Sequence, residues 1–237
     1  MADVVSKGDI MTKNDLKCLE REVEFTSSYR WQHWLRALSI VALVVSGFYI
    51  AVPFITPTPH ATPTGFLQGY FRAFHLFFGF LLIAVVLFKS YIFLFVKDSS
   101  GERRSLLDLI NPAIWGKQIC YYLFACRHPE LKGTYNPIQF VAYIAFYAMI
   151  FGIILTGLML YVQVYHEGLA GFLYDPMMKL TALFGGLSVV RQVHHLLTWG
   201  IILFVTVHVY MAIFNAIYGK EGSMDAIFSG LKWHPKH

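Results

Sequence analysis

Long apolar stretches alternate with polar connections along this chain, and four of the stretches are long enough to cross a bilayer. They run roughly from Trp34 to Val52, His75 to Val96, Ile138 to Val162 and His195 to Ile217. Each holds about 20 residues or more with one or two charges at most, the length of an α-helix that spans a hydrocarbon core of about 30 Å. In lipid the backbone must satisfy its own hydrogen bonds, so such runs fold as helices. The expected fold class is all-α: an integral membrane four-helix bundle.

The connections differ in kind. The first contains Pro53, Pro57, Pro59 and Pro63 and reads as a stiff loop. The second, from Lys97 to Pro137, contains the apolar stretch Ile114 to Cys126, too short and too mixed to span and suited to an interfacial helix. The third is expected to hold a short helix starting near Pro176. Residues 1–30 are polar and charged, without the short apolar core or small-residue cleavage site of a signal peptide. With no internal repeat, the organisation reads as an extension (1–30), a transmembrane domain (31–218) and a tail (219–237).

Composition supports the membrane assignment. The chain is 57% hydrophobic and 14% charged, more apolar surface than a soluble chain of 237 residues could hide. Its cations are unevenly placed. Fourteen Lys and Arg fall in the N-terminal segment, the second connection and the tail, against three (Arg72, Lys179, Arg191) in the first and third connections. The positive-inside rule then puts both termini and the interfacial helix on the cytoplasmic side. The net charge of +5 reports this topology and needs no nucleic-acid partner. Cys18, Cys120 and Cys126 all fall on that side, where thiols are expected to stay reduced.

Candidate chemistry lies in four histidines at the ends of, or inside, apolar stretches: His33, His75, His194 and His208. His194 and His208 are 14 residues apart on one helix. At about 100° per residue this is almost four whole turns, so both rings leave one face about 21 Å apart along the axis. Because helices alternate in direction, His33 and His208 share the cytoplasmic depth, and His75 and His194 the external depth. Two imidazoles per depth suit two haems with both axial positions filled, an arrangement for electron transfer rather than oxygen chemistry. No Cys-x-x-Cys-His motif is present, so the haem would be held without thioether bonds. His195, 13 residues from His208, projects well over 100° away and is the weaker ligand candidate. Gly47, 14 residues after His33, would give a macrocycle room at the outer level, and Gly79 similarly. Arg36, Arg72, Arg191 and Lys89 could pair with haem propionates or snorkel to headgroups. A transporter using histidines as proton or metal sites is the reading from a different class.

Two stretches carry a family resemblance. Arg30-Trp31-Gln32-His33-Trp34-Leu35 is followed by an apolar run to Ser46-Gly47, and Arg191-Gln192-Val193-His194-His195-Leu196 continues through Trp199 and Phe204 to His208. Together they resemble the b-type cytochrome subunit of membrane-bound nickel–iron hydrogenases, within a wider group that includes the cytochrome subunit of formate dehydrogenase. Ser46 departs from the threonine more usual before the glycine. The resemblance covers all four helices and implies two haem b, ligated by His33, His75, His194 and His208. It further implies a place in the bacterial inner membrane, with the large and small hydrogenase subunits on the periplasmic side. Electrons from hydrogen would then pass to the outer haem, the inner haem and a quinone, with menaquinone the family habit. The hydrogen chemistry itself would reside in the partner subunits. A cytochrome subunit for formate dehydrogenase or another respiratory complex is the nearest alternative.

Quinone reduction next to the inner haem directs attention to the start of the third apolar run. Asn136, Gln139 and Tyr143 are spaced three and four apart, placing three polar groups on one face. Amide donors there could bond a quinone carbonyl as charge develops, and Met211, one turn beyond His208, could pack on the ring or tail. A helix cap before Pro137 is the other reading of Asn136, and it leaves Gln139 unexplained.

Overall fold

The computed structural model describes residues 19–23, 25–55, 66–96, 99–122, 137–218 and 223–235. Four long helices dominate: α1 (Ser27–Ala51), α2 (Leu67–Phe95), α5 (Pro137–Tyr161) and α7 (Leu187–Tyr218). Between them lie α3 (Ser100–Ile110), α4 (Pro112–Tyr122) and α6 (Gly171–Leu183); α8 (Ser223–Ser229) follows. A short 3-10 turn, Gly168–Ala170, precedes α6, and two short strands, β1 (Leu19–Val23) and β2 (Leu231–Pro235), complete the described elements. The chain divides into a larger unit, Trp34–Thr206, and a smaller one, Met1–His33 with Val207–His237.

In the larger unit, Ile40 of α1, Leu82 and Val86 of α2, Phe146 and Ile150 of α5 and Ile201 of α7 form one core. Phe146 stacks on Phe204 with ring centres 4.3 Å apart. The outer faces are equally apolar. On α2, Tyr70, Phe74, Phe77, Leu87, Tyr91 and Leu94 are exposed at helical spacing, opposite the buried Leu82, Val85 and Val86. Helices that are apolar outside as well as inside are at rest only in lipid. All four long helices have the length and composition to cross a membrane, and the protein is an integral membrane protein. Because lipid tails are as apolar as the core, close packing and polar contacts between helices hold such a bundle, rather than the hydrophobic effect.

The helices run past the apolar stretches that announced them. α1 begins seven residues before Trp34 and α2 eight before His75, so His33 and His75 lie inside helices rather than opening them. The second connection folds into two helices where one was expected. Pro112 explains the break: Asn111, before the proline, takes an extended ψ of 104° and ends α3. Its Oδ1 then accepts a bond from the Ala113 N–H at 3.1 Å, capping α4 at a proline-initiated start. Arg103 donates to the Phe93 and Val96 carbonyls at 2.5 and 3.0 Å, satisfying orphan acceptors at the end of α2. Cys120 is disulfide-bonded, which corrects the expectation that its thiol stays reduced. A compartment argument says nothing about which thiols a fold brings together. In the third connection, α6 starts at Gly171, five residues earlier than the start expected near Pro176, and carries that proline inside it.

In the smaller unit, β1 and β2 pair antiparallel from Leu19 with Pro235 to Val23 with Leu231. The helical fold therefore carries one addition, a two-stranded ribbon joining the N-terminal segment to the tail. Gly230 makes the turn from α8 into β2 with φ of 85°, and a Cβ there would sit 2.7 Å from the Phe25 carbonyl. Only glycine fits both conditions. Arg30 donates to the Phe228 carbonyl at 2.5 Å, fastening the last turn of α8.

Candidate functional site

The smaller unit holds the first histidine pair. His33, in the second turn of α1, and His208 of α7 face each other with ring centres 6.3 Å apart and planes inclined by 49°. A metal ion bonded to two imidazoles at about 2 Å, with about 1 Å more from nitrogen to ring centre, sets the centres about 6 Å apart. The observed spacing fits an iron shared by the two rings.

The larger unit holds the second pair, and its rings are supported from neighbouring helices. His75 Nδ1 of α2 lies 2.9 Å from the Ser46 hydroxyl of α1. His194 Nδ1 of α7 lies 2.9 Å from the Thr156 hydroxyl of α5. Each hydroxyl is followed by a glycine against which the ring packs. A Cβ on Gly47 would be 3.3 Å from His75 Cε1, and one on Gly157 would be 3.6 Å from His194 Cε1. Gly47 thus makes room for the histidine ring itself, a nearer cause than the macrocycle expected there. Gly79 faces open space. His194 is half-buried and within electrostatic range of His75, whereas the adjacent His195 is exposed. Among the described residues no group of three or more His, Cys, Asp or Glu is placed to hold a metal ion. A metal at either pair would draw its remaining ligands from outside the protein, as a macrocycle provides.

The other candidates separate. Arg36 is buried, donates to the Tyr147 hydroxyl at 2.7 Å and stands 5.6 Å from that ring's centre. Arg191 and Arg72 are exposed. Lys89 does not snorkel: it is buried and donates to both carboxylate oxygens of Glu102, at 2.9 and 2.8 Å. The α3 helix, invisible in the apolar pattern, brings that carboxylate to it. Of the residues proposed for quinone, Asn136 lies outside the described residues, and Gln139 is exposed. Tyr143 is half-buried with its ring centre 5.8 Å from that of Tyr147, and Met211 is exposed in the smaller unit.

Sequence reasoning missed Thr156 and Gly157 as a second histidine support. The signal was present: Thr156-Gly157 repeats, in the middle of an apolar run, the hydroxyl–glycine order of Ser46-Gly47. Glu102 and Tyr147 were also missed, since their partners are 13 and 111 residues away.

Residues 24–230 match the prokaryotic cytochrome b561 family. Over 217 residues the chain is 30% identical to the probable Ni/Fe-hydrogenase 1 B-type cytochrome subunit of Escherichia coli, covering 89% of this chain and 90% of that protein. A probable Ni/Fe-hydrogenase B-type cytochrome subunit of Cupriavidus necator is 29% identical over 224 residues, 91% and 88% of the two chains. Its counterpart in Rhizobium leguminosarum is 26% identical over 220 residues, 90% of each. The paired imidazoles and the match over nearly the whole chain lead to one conclusion: this protein is a haem-binding b-type cytochrome that belongs to the prokaryotic cytochrome b561 family.

Proposed function

We propose that this chain is the di-haem membrane subunit that carries electrons from a nickel–iron hydrogenase to quinone. The observation that carries the reading is the 6.3 Å spacing of the His33 and His208 rings, together with a second pair, His75 and His194, held by hydroxyls. The names of the relatives supply the hydrogenase. Two haem b, when bound, supply reversible one-electron exchange. The chain's own residues hold them by paired imidazoles, which leave no open coordination position for oxygen.

The excess of cations in the N-terminal segment, second connection and tail supports cytoplasmic termini in a bacterial inner membrane. His75 and His194 then serve the outer haem, next to hydrogenase small and large subunits on the periplasmic side. His33 and His208 serve the inner haem, and quinone is reduced near it. Asn136, Gln139, Tyr143 and Met211 remain the residues proposed for quinone, with menaquinone the species. Arg36 and Arg191 are proposed cations of the haem environment, and the transmembrane domain is taken as residues 31–218.

Haem quantification with an absorption spectrum of the purified chain tests the reading. Two low-spin b haems per chain are expected. One haem or none refutes it, and none would favour the transporter reading instead.

A further inference from the structure

The hydroxyls of Ser46 and Thr156 are in an unusual position for side chains in the middle of membrane helices. Each is close to two kinds of partner at once. Ser46 Oγ lies 2.6 Å from the Ala42 carbonyl and 3.3 Å from that of Leu43, as well as 2.9 Å from His75 Nδ1. Thr156 Oγ1 lies 2.9 Å from the Gly152 carbonyl and 3.1 Å from that of Ile153, as well as 2.9 Å from His194 Nδ1. A hydroxyl has one proton, and a carbonyl oxygen can only accept. With the proton committed to the helix backbone, the hydroxyl presents a lone pair to the ring, and Nδ1 must carry the hydrogen. The neutral imidazole then has its lone pair on Nε2, the nitrogen left to bind a metal.

The glycines complete the device. Cε1 of His75 rests over Gly47 and Cε1 of His194 over Gly157, close enough that a Cβ would touch it. Ring tilt is therefore set by the same two-residue unit that sets the tautomer. The unit occurs once on α1 and once on α5, serving histidines on α2 and α7.

We infer that Ser46-Gly47 and Thr156-Gly157 are a matched pair of positioning units that present His75 Nε2 and His194 Nε2 to one haem iron and tune its electron affinity. This rests on the di-haem reading above. An Nδ1–H bonded to an acceptor makes the imidazole a stronger donor through Nε2, and loss of such a support typically weakens metal binding about 10–100-fold. A more basic ligand favours the ferric state. Losing the hydroxyl should therefore raise the midpoint potential of the haem it supports.

The test uses the full-length chain in detergent, with Ser46→Ala, Thr156→Ala, Ser46→Thr and Thr156→Ser. Haem stoichiometry, haem-loss rate and a redox titration resolving two haems are read for each. The alanine variants should release one haem about 10–100-fold faster, or retain it at a raised potential, with the other haem unchanged. Threonine at position 46 and serine at position 156 should restore both properties. The unchanged haem reports that the chain has folded, so loss of both haems in a variant whose hydroxyl-preserving partner is normal would count against a local role. Two haems with wild-type loss rates and potentials in both alanine variants would overturn the inference and leave the di-haem reading standing. Absence of two haems in the unaltered chain would refute that reading first.

Discussion

Two polar regions of the larger unit sit among membrane helices and are finished in opposite ways. Lys89 and Glu102 satisfy each other: three atoms form two short bonds, and both side chains are almost wholly out of solvent. At His75 and His194 the observed support is directed at Nδ1. Ser46 and Thr156 engage Nδ1, while the chemistry of the ring leaves a lone pair on Nε2. A closed pair has nothing to offer a ligand, and its work is to fasten α3 to α2. An imidazole oriented from behind, with its second nitrogen uncommitted to the hydroxyl, is built to bind something else. Burial and polarity are shared by the two regions, so neither property distinguishes structure from function. The distinction lies in which lone pairs are left over.

This comparison is broken most severely at the histidines. His194→Ala should remove one of the two haems outright, as seen in the absorption spectrum, while His195→Ala keeps both and leaves stability within about 0.5 kcal/mol. Loss of haem in the second variant and retention in the first would reverse the assignment between the neighbours. A smaller effect, of a different kind, is expected at the charge pair. Glu102→Gln removes the charge that offsets the buried Lys89 ammonium and should destabilise the protein by about 3–5 kcal/mol in unfolding measurements, with haem stoichiometry unchanged. Replacing both partners by apolar residues should return stability to near the starting value, because the pair and a well-packed apolar contact are close in free energy. Haem loss in Glu102→Gln would show that the pair is not merely a fastener. A smaller loss than at the charge pair should come from Tyr147→Phe, which removes the hydroxyl that accepts from Arg36. A hydrogen bond to a charged group contributes about 1.5–3 kcal/mol, so this variant should unfold slightly earlier and keep both haems.

The helices were readable because a bilayer demands long apolar runs, and only their ends were misplaced. Helical hydrogen bonding continues through Ser27–Gln32 and Leu67–Phe74 after charge and polarity have weakened the signal. The ligand candidates were readable for a related reason: a histidine in an apolar run is conspicuous, and a 14-residue spacing fixes its face. Their supports were harder to see. Serine and threonine are ordinary residues in membrane helices, where they bond the carbonyl one turn back, as Ser39 and Thr198 do here without meeting a ring. The Thr156-Gly157 dipeptide repeats the order of Ser46-Gly47, but the repeat does not say which ring, on which other helix, will meet the hydroxyl.

The β1–β2 ribbon shows the same limit at longer range. Leu19 and Pro235 pair across almost the whole chain, and neither five-residue strand has an apolar alternation strong enough to announce it. The sequence by itself determined the membrane class and the four spans, and it singled out four candidate histidines, because these follow from composition and local periodicity. Tertiary structure decided which hydroxyl stands behind which ring, that Lys89 meets Glu102, and that the extension meets the tail. Those contacts join residues on different helices or at opposite ends of the chain. Their geometry depends on how helices rotate and pack, which in lipid is settled by close fit and a few polar bonds rather than by any hydrophobic pattern.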